Sequence, residues 1–210
     1  MTEVDLDEVE REQELLSRLV IHQDDLPLGD SIITGVDVSY SENHAVGCAV
    51  VSDTRTHEIL NTSTVETEVD CEYISGFFQL REGPIILKLL NKITDPGIVL
   101  VDGNGILHPR QFGLASFLGV KRDLPTIGVA KKLMLGEIGP RTTDIADITH
   151  KGVVLGRALW LGERKPIYIS IGHRVSIDTA VRIVRESSVN DYPEVLREAH
   201  RLSKIELKKL

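Results

Sequence analysis

A short, continuous apolar run over residues 98–101, which ends in Asp102 and Gly103, constrains the fold more than any other feature of this sequence. A run this short that is apolar at every position is typical of a parallel strand buried on both faces in an α/β protein. Residues 125–130 form a second such run, and residues 110–120 between the two can form a helix. The sequence therefore predicts a β-α-β unit.

Three β-rich runs precede this unit and are separated by short polar stretches, which predicts a meander of hairpins. These runs span residues 32–40, 45–53 and 58–67. Helices are predicted at about 5–22, 76–92, 176–187 and 194–208, and further strands at 151–161 and 166–172. Hairpins followed by β-α-β units indicate one α/β domain over residues 1–210, with a mixed sheet flanked by helices.

The negative charge of the chain is concentrated at its N-terminus. Residues 1–14 hold seven acidic residues and one basic residue, whereas the whole chain of 210 residues carries a net charge of −8. This balance argues against coating of nucleic acid by bulk electrostatics, but the nearly neutral remainder leaves room for a local basic groove. We expect an acidic helical extension over about residues 1–22.

The composition of the chain indicates the cellular compartment in which the protein is expected. No apolar run approaches the roughly 20 residues needed to span a bilayer, and the acidic N-terminus has the character of neither a secretory signal nor a transit peptide. The two cysteines, Cys48 and Cys71, are too few for a disulfide framework or a Cys-based zinc site. We therefore expect a cytoplasmic monomer with no membrane contact.

Acidic residues occupy positions where strands need apolar ones. Asp37 lies between Val36 and Val38, and burying such a carboxylate costs several kcal/mol unless a partner or a metal offsets it. Asp102 ends the apolar run, at the strand end that faces the ligand crevice of α/β sheets. Neighbouring strands would make the two carboxylates converge, to share a proton or to hold Mg²⁺ or Mn²⁺. Glu82, on the predicted helix 76–92, is a candidate third acid.

Each of these acids also has a structural interpretation. Asp37 fits a hydrogen-bonded structural aspartate, and Asp102 fits a helix cap or a turn formed with Gly103. Glu82, beside Arg81, fits a solvated helix glutamate. The residues alone leave both interpretations open.

Basic residues and histidines follow the same strand ends. His108 and Arg110 come shortly after Asp102, Lys131 ends the second buried run, and His173 follows the last predicted strand. Together with the acids they favour metal-dependent phosphoryl transfer over acyl or hydride chemistry. A polar loop, a surface lysine and a capping histidine are the structural alternatives. A dinucleotide-binding fingerprint is excluded, because its third glycine would fall on His108.

Five stretches of the chain resemble the endonuclease V family, whose nucleases act on deaminated bases, especially inosine. In order, they are GVDVSY, YISGFFQLRE, VDGNGILHPRQFGLASFLGV, PTIGVAKKLMLG and YISIGHRVSIDTA, spread over residues 35–180. The resemblance implies an RNase H-like fold. In that fold a five-stranded mixed sheet is flanked by helices, its first three strands are antiparallel, and its first and fourth strands adjoin.

The resemblance also implies the site. Asp37, Asp102 and Glu82 would bind Mg²⁺, for which Mn²⁺ can substitute. Lys131 would stabilise charge at the scissile phosphate, with His108 and His173 as catalytic helpers. Nucleic acid would be bound by a base pocket and a wedge that fills the vacated stack, with the residues Gly103, Gly113, Phe78, Tyr73, Ile74 and Arg110.

The implied reaction is metal-dependent hydrolysis of the second phosphodiester bond 3′ to a deaminated nucleotide in DNA, or in inosine-containing RNA. It leaves a 3′-hydroxyl and a 5′-phosphate. The sequence departs from the family pattern in the wedge, where Glu72 and Ser75 replace prolines, and at Asn104 and Phe117, which replace histidines. Two rival functions stay open: binding of modified nucleic acid without cleavage, and an RNase H-like nuclease for hybrids or junctions.

Overall fold

The structure, a computed structural model, describes residues 5–25, 31–69, 74–162 and 165–210. Its helices are α1 (Leu6–Ser17), α2 (Phe78–Leu90), α3 (Leu114–Arg122), α4 (Ile177–Glu186) and α5 (Glu194–Leu207). Its strands are β1 (Ile32–Tyr40), β2 (His44–Asp53), β3 (Ile59–Glu68), β4 (Ile98–Asp102), β5 (Thr126–Ala130), β6 (Glu137–Ile138), β7 (Ile145–His150), β8 (Val153–Leu159), β9 (Ile167–His173), β10 (Ser188–Val189) and β11 (Tyr192–Pro193).

Nine of the strands form one mixed sheet in the order β3-β2-β1-β4-β5-β9-β8-β7-β6, while β10 and β11 pair with each other. The first three strands are antiparallel, and β4 lies parallel to β1, as predicted. The strand β5 follows parallel to β4, so the predicted β-α-β unit is present, with α3 as its helix. No helix in the described part of the chain is long and apolar enough to cross a membrane.

The prediction of a five-stranded sheet is wrong, because the sheet does not end at β5. The strand β9 runs antiparallel along β5 and satisfies the hydrogen-bonding edge that β5 would otherwise expose. Beyond β9 the sheet continues with β8, β7 and β6, each antiparallel to its neighbour. Strands β6 and β7 lie in a stretch for which no element was predicted.

The helix predicted over 110–120 begins only at Leu114. Gly113 is its N-cap, and the Gly113 N–H donates to the Gly105 carbonyl (3.0 Å). A Cβ atom on Gly113 would lie 2.3 Å from the Asn104 carbonyl oxygen, so only glycine allows this close approach. The loop from Asp102 to Gly113 is thereby folded back on itself.

The helices cover the two faces of the sheet around β1. Val36 packs into the core that α2 and α3 share with the sheet. On the other face, a Cβ on Gly35 would lie 2.5 Å from the backbone of Val195, which shows how closely α5 lies against β1. Side chains alternate along a strand, so Asp37 points to the face of α5 while its neighbour Val36 points away.

Candidate active site

Two carboxylates lie side by side at the centre of the sheet. Val36 of β1 pairs with Val101 of β4, so the next residues, Asp37 and Asp102, occupy adjacent positions on the same face. The side chain of Asp37 is 11% exposed and that of Asp102 is 26% exposed. The structure therefore brings together the two acids that the sequence placed in and after strands.

Helix α5 holds the carboxylate of Asp37. The Ser203 hydroxyl donates to Asp37 Oδ2 (2.9 Å), and His200 Nδ1 lies 3.1 Å from the same oxygen. Burial raises the pKa of Asp37, and the charge of Asp102 adds to this, while Ser203 and His200 oppose the increase. One oxygen of Asp37 is thus fixed by the helix, and its charge is costly in the absence of a further cation.

Glu82 brings a third carboxylate from α2. It is only 7% exposed, and its pKa is raised well above the usual value by burial and by the charges of Asp37 and Asp102. Arg81 opposes this shift. Glu82 accepts no hydrogen bond from the residues that the structure describes. Glu82 therefore lies close enough to Asp37 and Asp102 for their charges to raise its pKa, while the predicted role of the three acids in holding a metal stays a prediction.

Lys131 follows β5 and faces the same location. Its Nζ lies 2.5 Å from Asp102 Oδ2 and 4.5 Å from the ring centroid of Tyr192. Burial and the nearby charge of Asp102 raise the pKa of Tyr192. The aromatic ring and the carboxylate together orient the ammonium group toward the carboxylate cluster.

The donors suit a divalent cation. Carboxylate oxygens are the ligands that Mg²⁺ and Mn²⁺ prefer, and a cation would relieve the repulsion that raises the pKa of Asp37 and Glu82. Within the described ranges, no three His, Cys, Asp or Glu side chains already stand in the geometry of a metal site. The chemistry of the cluster fits the predicted metal, which stays a proposal.

A cavity of about 490 Å³, called here the Gly103 cavity, opens beside the cluster. Asp102 and Lys131 lie at its wall, and three residues predicted for a base pocket, Phe78, Gly103 and Gly113, line it. Asn104 lines it as well. Phe117, the other replacement for a family histidine, instead packs into the core between α2 and α3, 2.6 Å from where a Cβ on Gly83 would lie.

His108 lines the Gly103 cavity, but its ring, like the Arg110 side chain, is held by hydrogen bonds within the protein. His108 Nδ1 accepts from the Arg110 N–H (3.3 Å), so Nε2 carries the proton and donates to the Gly76 carbonyl (3.2 Å). Burial, with the charge of Arg110, lowers the pKa of His108 to about 4. Both ring nitrogens are engaged, and the ring is neutral near pH 7.

Helix α1 supplies further partners for Arg110. Arg110 is 15% exposed and donates to Glu10 Oε1 (2.8 Å), to the Gly76 carbonyl (2.8 Å) and to the side chain of Gln13. Gln13 is 2% exposed and also donates to the Gly76 carbonyl (3.1 Å). The Arg110 guanidinium, predicted to contact nucleic acid, is therefore neutralised inside the fold by the acidic N-terminal helix.

His173 lies away from the carboxylates. It pairs with Thr126, whereas Asp102 pairs with Val129 of the same strand, about 10 Å further along the sheet. His173 Nδ1 accepts from the Ile21 N–H (3.2 Å), and Nε2 lies 3.5 Å from Asp123 Oδ1. No hydrogen bond among the described residues links His173 to the cluster.

The predicted wedge falls at a gap in the description. Tyr73 lies outside the described residues, as does Glu72. Ile74 is described: it is half-buried, and its carbonyl accepts from the Phe77 N–H (3.0 Å) in the turn that leads into α2. The contacts of both predicted wedge residues with nucleic acid stay predictions.

Sequence reasoning missed His200, Ser203 and Tyr192. The apolar stripe of α5 predicted the helix, but a histidine and a serine three residues apart gave no local signal of a partner on β1. Ser203 is fully buried although polar, and the burial of such a residue becomes visible only once the helix is docked. Tyr192 lies in a short strand that was not predicted.

The fold and the site define a class: an α/β protein with a carboxylate cluster at the meeting point of two parallel strands, beside a cavity. The family model for endonuclease V matches residues 13–201. The chain is 40% identical over 199 residues to the endonuclease V of Thermofilum pendens, covering 93% of this chain and 86% of that protein. The chain belongs to the endonuclease V family, and its relatives make it a nuclease.

Solved structures agree with this assignment. The crystal structure of endonuclease V from Streptomyces avermitilis superposes with a TM-score of 0.90 at 34% identity, covering 99% of this chain and 95% of that one. Endonuclease V of Ciona intestinalis, crystallised with a 24mer DNA containing an inosine followed by a ribo-adenosine, gives a TM-score of 0.87 at 34% identity, with 97% and 98% covered.

Proposed function

We propose that the protein is a magnesium-dependent endonuclease in the repair of deaminated bases. It hydrolyses the second phosphodiester bond 3′ to deoxyinosine and leaves a 3′-hydroxyl and a 5′-phosphate. The observation that carries the proposal is the convergence of Asp37, Asp102 and Glu82 beside Lys131, at the wall of a cavity large enough for a base. The strand order β3-β2-β1-β4-β5 within the larger sheet supports an RNase H-like core.

Each residue of the cluster has a task in this mechanism. Asp37, Asp102 and Glu82 would hold the metal, which when bound would activate water near neutral pH and offset the negative charge that develops on the departing 3′-oxygen. Lys131 binds the scissile phosphate and offsets its negative charge. His200 and Ser203 fix the orientation of the Asp37 carboxylate through its Oδ2 atom. His108 and His173 hold the fold rather than move protons, because hydrogen bonds within the protein engage their ring nitrogens.

The deaminated base is recognised at a different place from the phosphodiester bond that is cleaved. The deaminated base rotates out of the stack into the Gly103 cavity, at a cost of a few kcal/mol that is lower at a mismatched pair. Gly103 and Gly113 allow the backbone to approach the base edge. Support comes from the inosine-containing DNA in the Ciona complex.

Inosine-containing RNA is a second candidate substrate. The DNA in the Ciona complex carries a ribo-adenosine after the inosine, so that relative accommodates a 2′-hydroxyl next to the lesion. The single domain, the monomeric state and the cytoplasmic location stay predictions from the sequence.

A nicking assay tests the proposal. Purified protein with Mg²⁺ is given a labelled duplex with one deoxyinosine, the same duplex with adenine, and a matching inosine-containing RNA. We expect cleavage one nucleotide beyond the inosine's own 3′-phosphate, and no cleavage by Asp37→Ala. Folded protein that cuts no inosine substrate, with Mg²⁺ or Mn²⁺, would contradict the nuclease and favour a binding module that does not cleave.

A further inference from the structure

A second cavity lies on the other side of Lys131 from the Gly103 cavity. Its volume is about 790 Å³, and it shares Lys131, Tyr192 and His200 with the carboxylate site. The rest of its wall includes Lys165, Ile167 and Arg197. It is called here the Lys165 cavity.

The two cavities flank the position of the reacting phosphate. Lys131 lines both of them and lies 2.5 Å from Asp102 Oδ2, so a phosphate bound by Lys131 stands between them. A strand whose deaminated base occupies the Gly103 cavity continues past that phosphate. Since the proposed cut lies 3′ to the base, the strand on the 3′ side of the cut enters the Lys165 cavity.

The wall of this cavity combines apolar surface with positive charge. Ile167, Leu196 and the ring of Tyr192 offer apolar surface to a base or a sugar. Arg197 is already paired with Asp191 (3.4 Å) and Glu194 (3.2 Å). Lys165, by contrast, is exposed and has no ion pair among the described residues. Among the described residues that line this cavity, the Lys165 ammonium is therefore available to bind a phosphate.

We propose that the Lys165 cavity binds the first nucleotide on the 3′ side of the cut. The sugar and base of this nucleotide lie against the apolar wall, and its 3′-side phosphate pairs with Lys165. This inference rests on the proposed function, because the direction of the strand follows from where the bond is cut. It makes Lys165 a substrate-binding residue that acts on affinity and not on the chemical step.

Two inosine substrates test the role of Lys165. The first strand ends in the 3′-hydroxyl of the first nucleotide beyond the cut, and the second is one nucleotide longer, so that it adds the phosphate assigned to Lys165. For the wild type we expect the KM of the longer strand to be about fivefold lower, with kcat unchanged. Lys165→Ala should lose this difference, whereas Lys151→Ala, an exposed lysine elsewhere on the surface, should keep it.

The inference is overturned if Lys165→Ala retains the preference for the longer strand, or if the wild type shows none. Failure to cut either strand would instead contradict the proposed nuclease. In that case the cavity is tested without turnover. The binding of a 5′-phosphorylated dinucleotide to the full protein is measured by calorimetry. The dinucleotide should bind the wild type about fivefold more tightly than Lys165→Ala, and equal affinities would overturn the inference.

Discussion

The two ends of the loop from Asp102 to Gly113 use polar residues in opposite ways. At one end, Asp102 joins Asp37 and Glu82 in a cluster, where burial and the charge of Asp102 raise the pKa of the other two acids. At the other end, Arg110 and its partners are matched donor to acceptor, and the Gly76 carbonyl alone accepts from three side chains. In the first region, acidic side chains repel one another, and a bound cation can relieve this repulsion. In the second region, the polar groups already have hydrogen-bond partners within the protein.

Within one sequence motif, the residues at one end therefore serve function and those at the other end serve stability. Polar groups that cooperate within the protein stabilise it and are unavailable to a substrate, while like charges held close together destabilise it until a cation arrives. Asp102 and Arg110 are equally conspicuous in the sequence. Only the partners that the fold supplies distinguish the two.

The largest expected effect comes from Glu82→Gln. Cleavage should fall by about 10³-fold or more, because a metal ligand is lost. In EDTA the melting temperature should rise, because an amide removes a buried charge that Asp37 and Asp102 repel. The measurements are nicking rates with Mg²⁺ and thermal unfolding with EDTA. A lower melting temperature would show that the cluster is not under repulsion.

Lys131→Ala should reduce cleavage about 100-fold, because the scissile phosphate loses its cation. Lys151→Ala serves as the matched control, since it removes an exposed lysine far from the cluster in the sequence. Single-turnover rates measure the effect. Equal rates for the two variants would mean that Lys131 serves only to pair with Asp102.

The hydrogen-bonded group around His108 and Arg110 should affect how the stability of the protein depends on pH. The pKa of His108 is about 4 in the folded protein and about 6.5 when unfolded, so the unfolded chain binds the extra proton between these values. The wild-type free energy of unfolding should therefore fall as the pH drops from about 6.5 to 4. His108→Gln should lose roughly 3 kcal/mol less over this window in urea titrations. Parallel curves for the two proteins would contradict the buried, neutral imidazole.

The smallest effect separates two histidines. His200→Ala should slow cleavage about tenfold, because Asp37 loses one of the groups that orient it, with little change in melting temperature. His173→Ala should lower the melting temperature and leave kcat unchanged, because its ring bonds Ile21 and lies near Asp123. The reverse pattern would return His173 to the active site.

The sequence predicted what depends on local pattern and on the family motifs. Alternation and apolar runs located the first five strands, and the structure places Asp102 beside Asp37 and Lys131, with Glu82 near the two aspartates. The predicted strands at 151–161 and 166–172 correspond to β8 and β9, whereas β6 and β7 were not predicted. The antiparallel pairing of β9 along β5 gave no local signal, because it is a contact between distant segments. Arg110 was predicted to bind nucleic acid because the sequence gave no sign of its partners within the protein. These partners, on α1, lie about 100 residues away in sequence.

We propose that Asp102 acts in the reaction and that Arg110 acts in the fold, and one paired measurement tests this division of roles. Single-turnover cleavage of a deoxyinosine duplex and thermal unfolding are measured for Asp102→Asn and Arg110→Ala. We expect Asp102→Asn to lose cleavage and keep its melting temperature, and Arg110→Ala to lose several degrees and keep its rate when folded. An Arg110→Ala protein that melts like the wild type but no longer cleaves would show instead that Arg110 acts in the reaction.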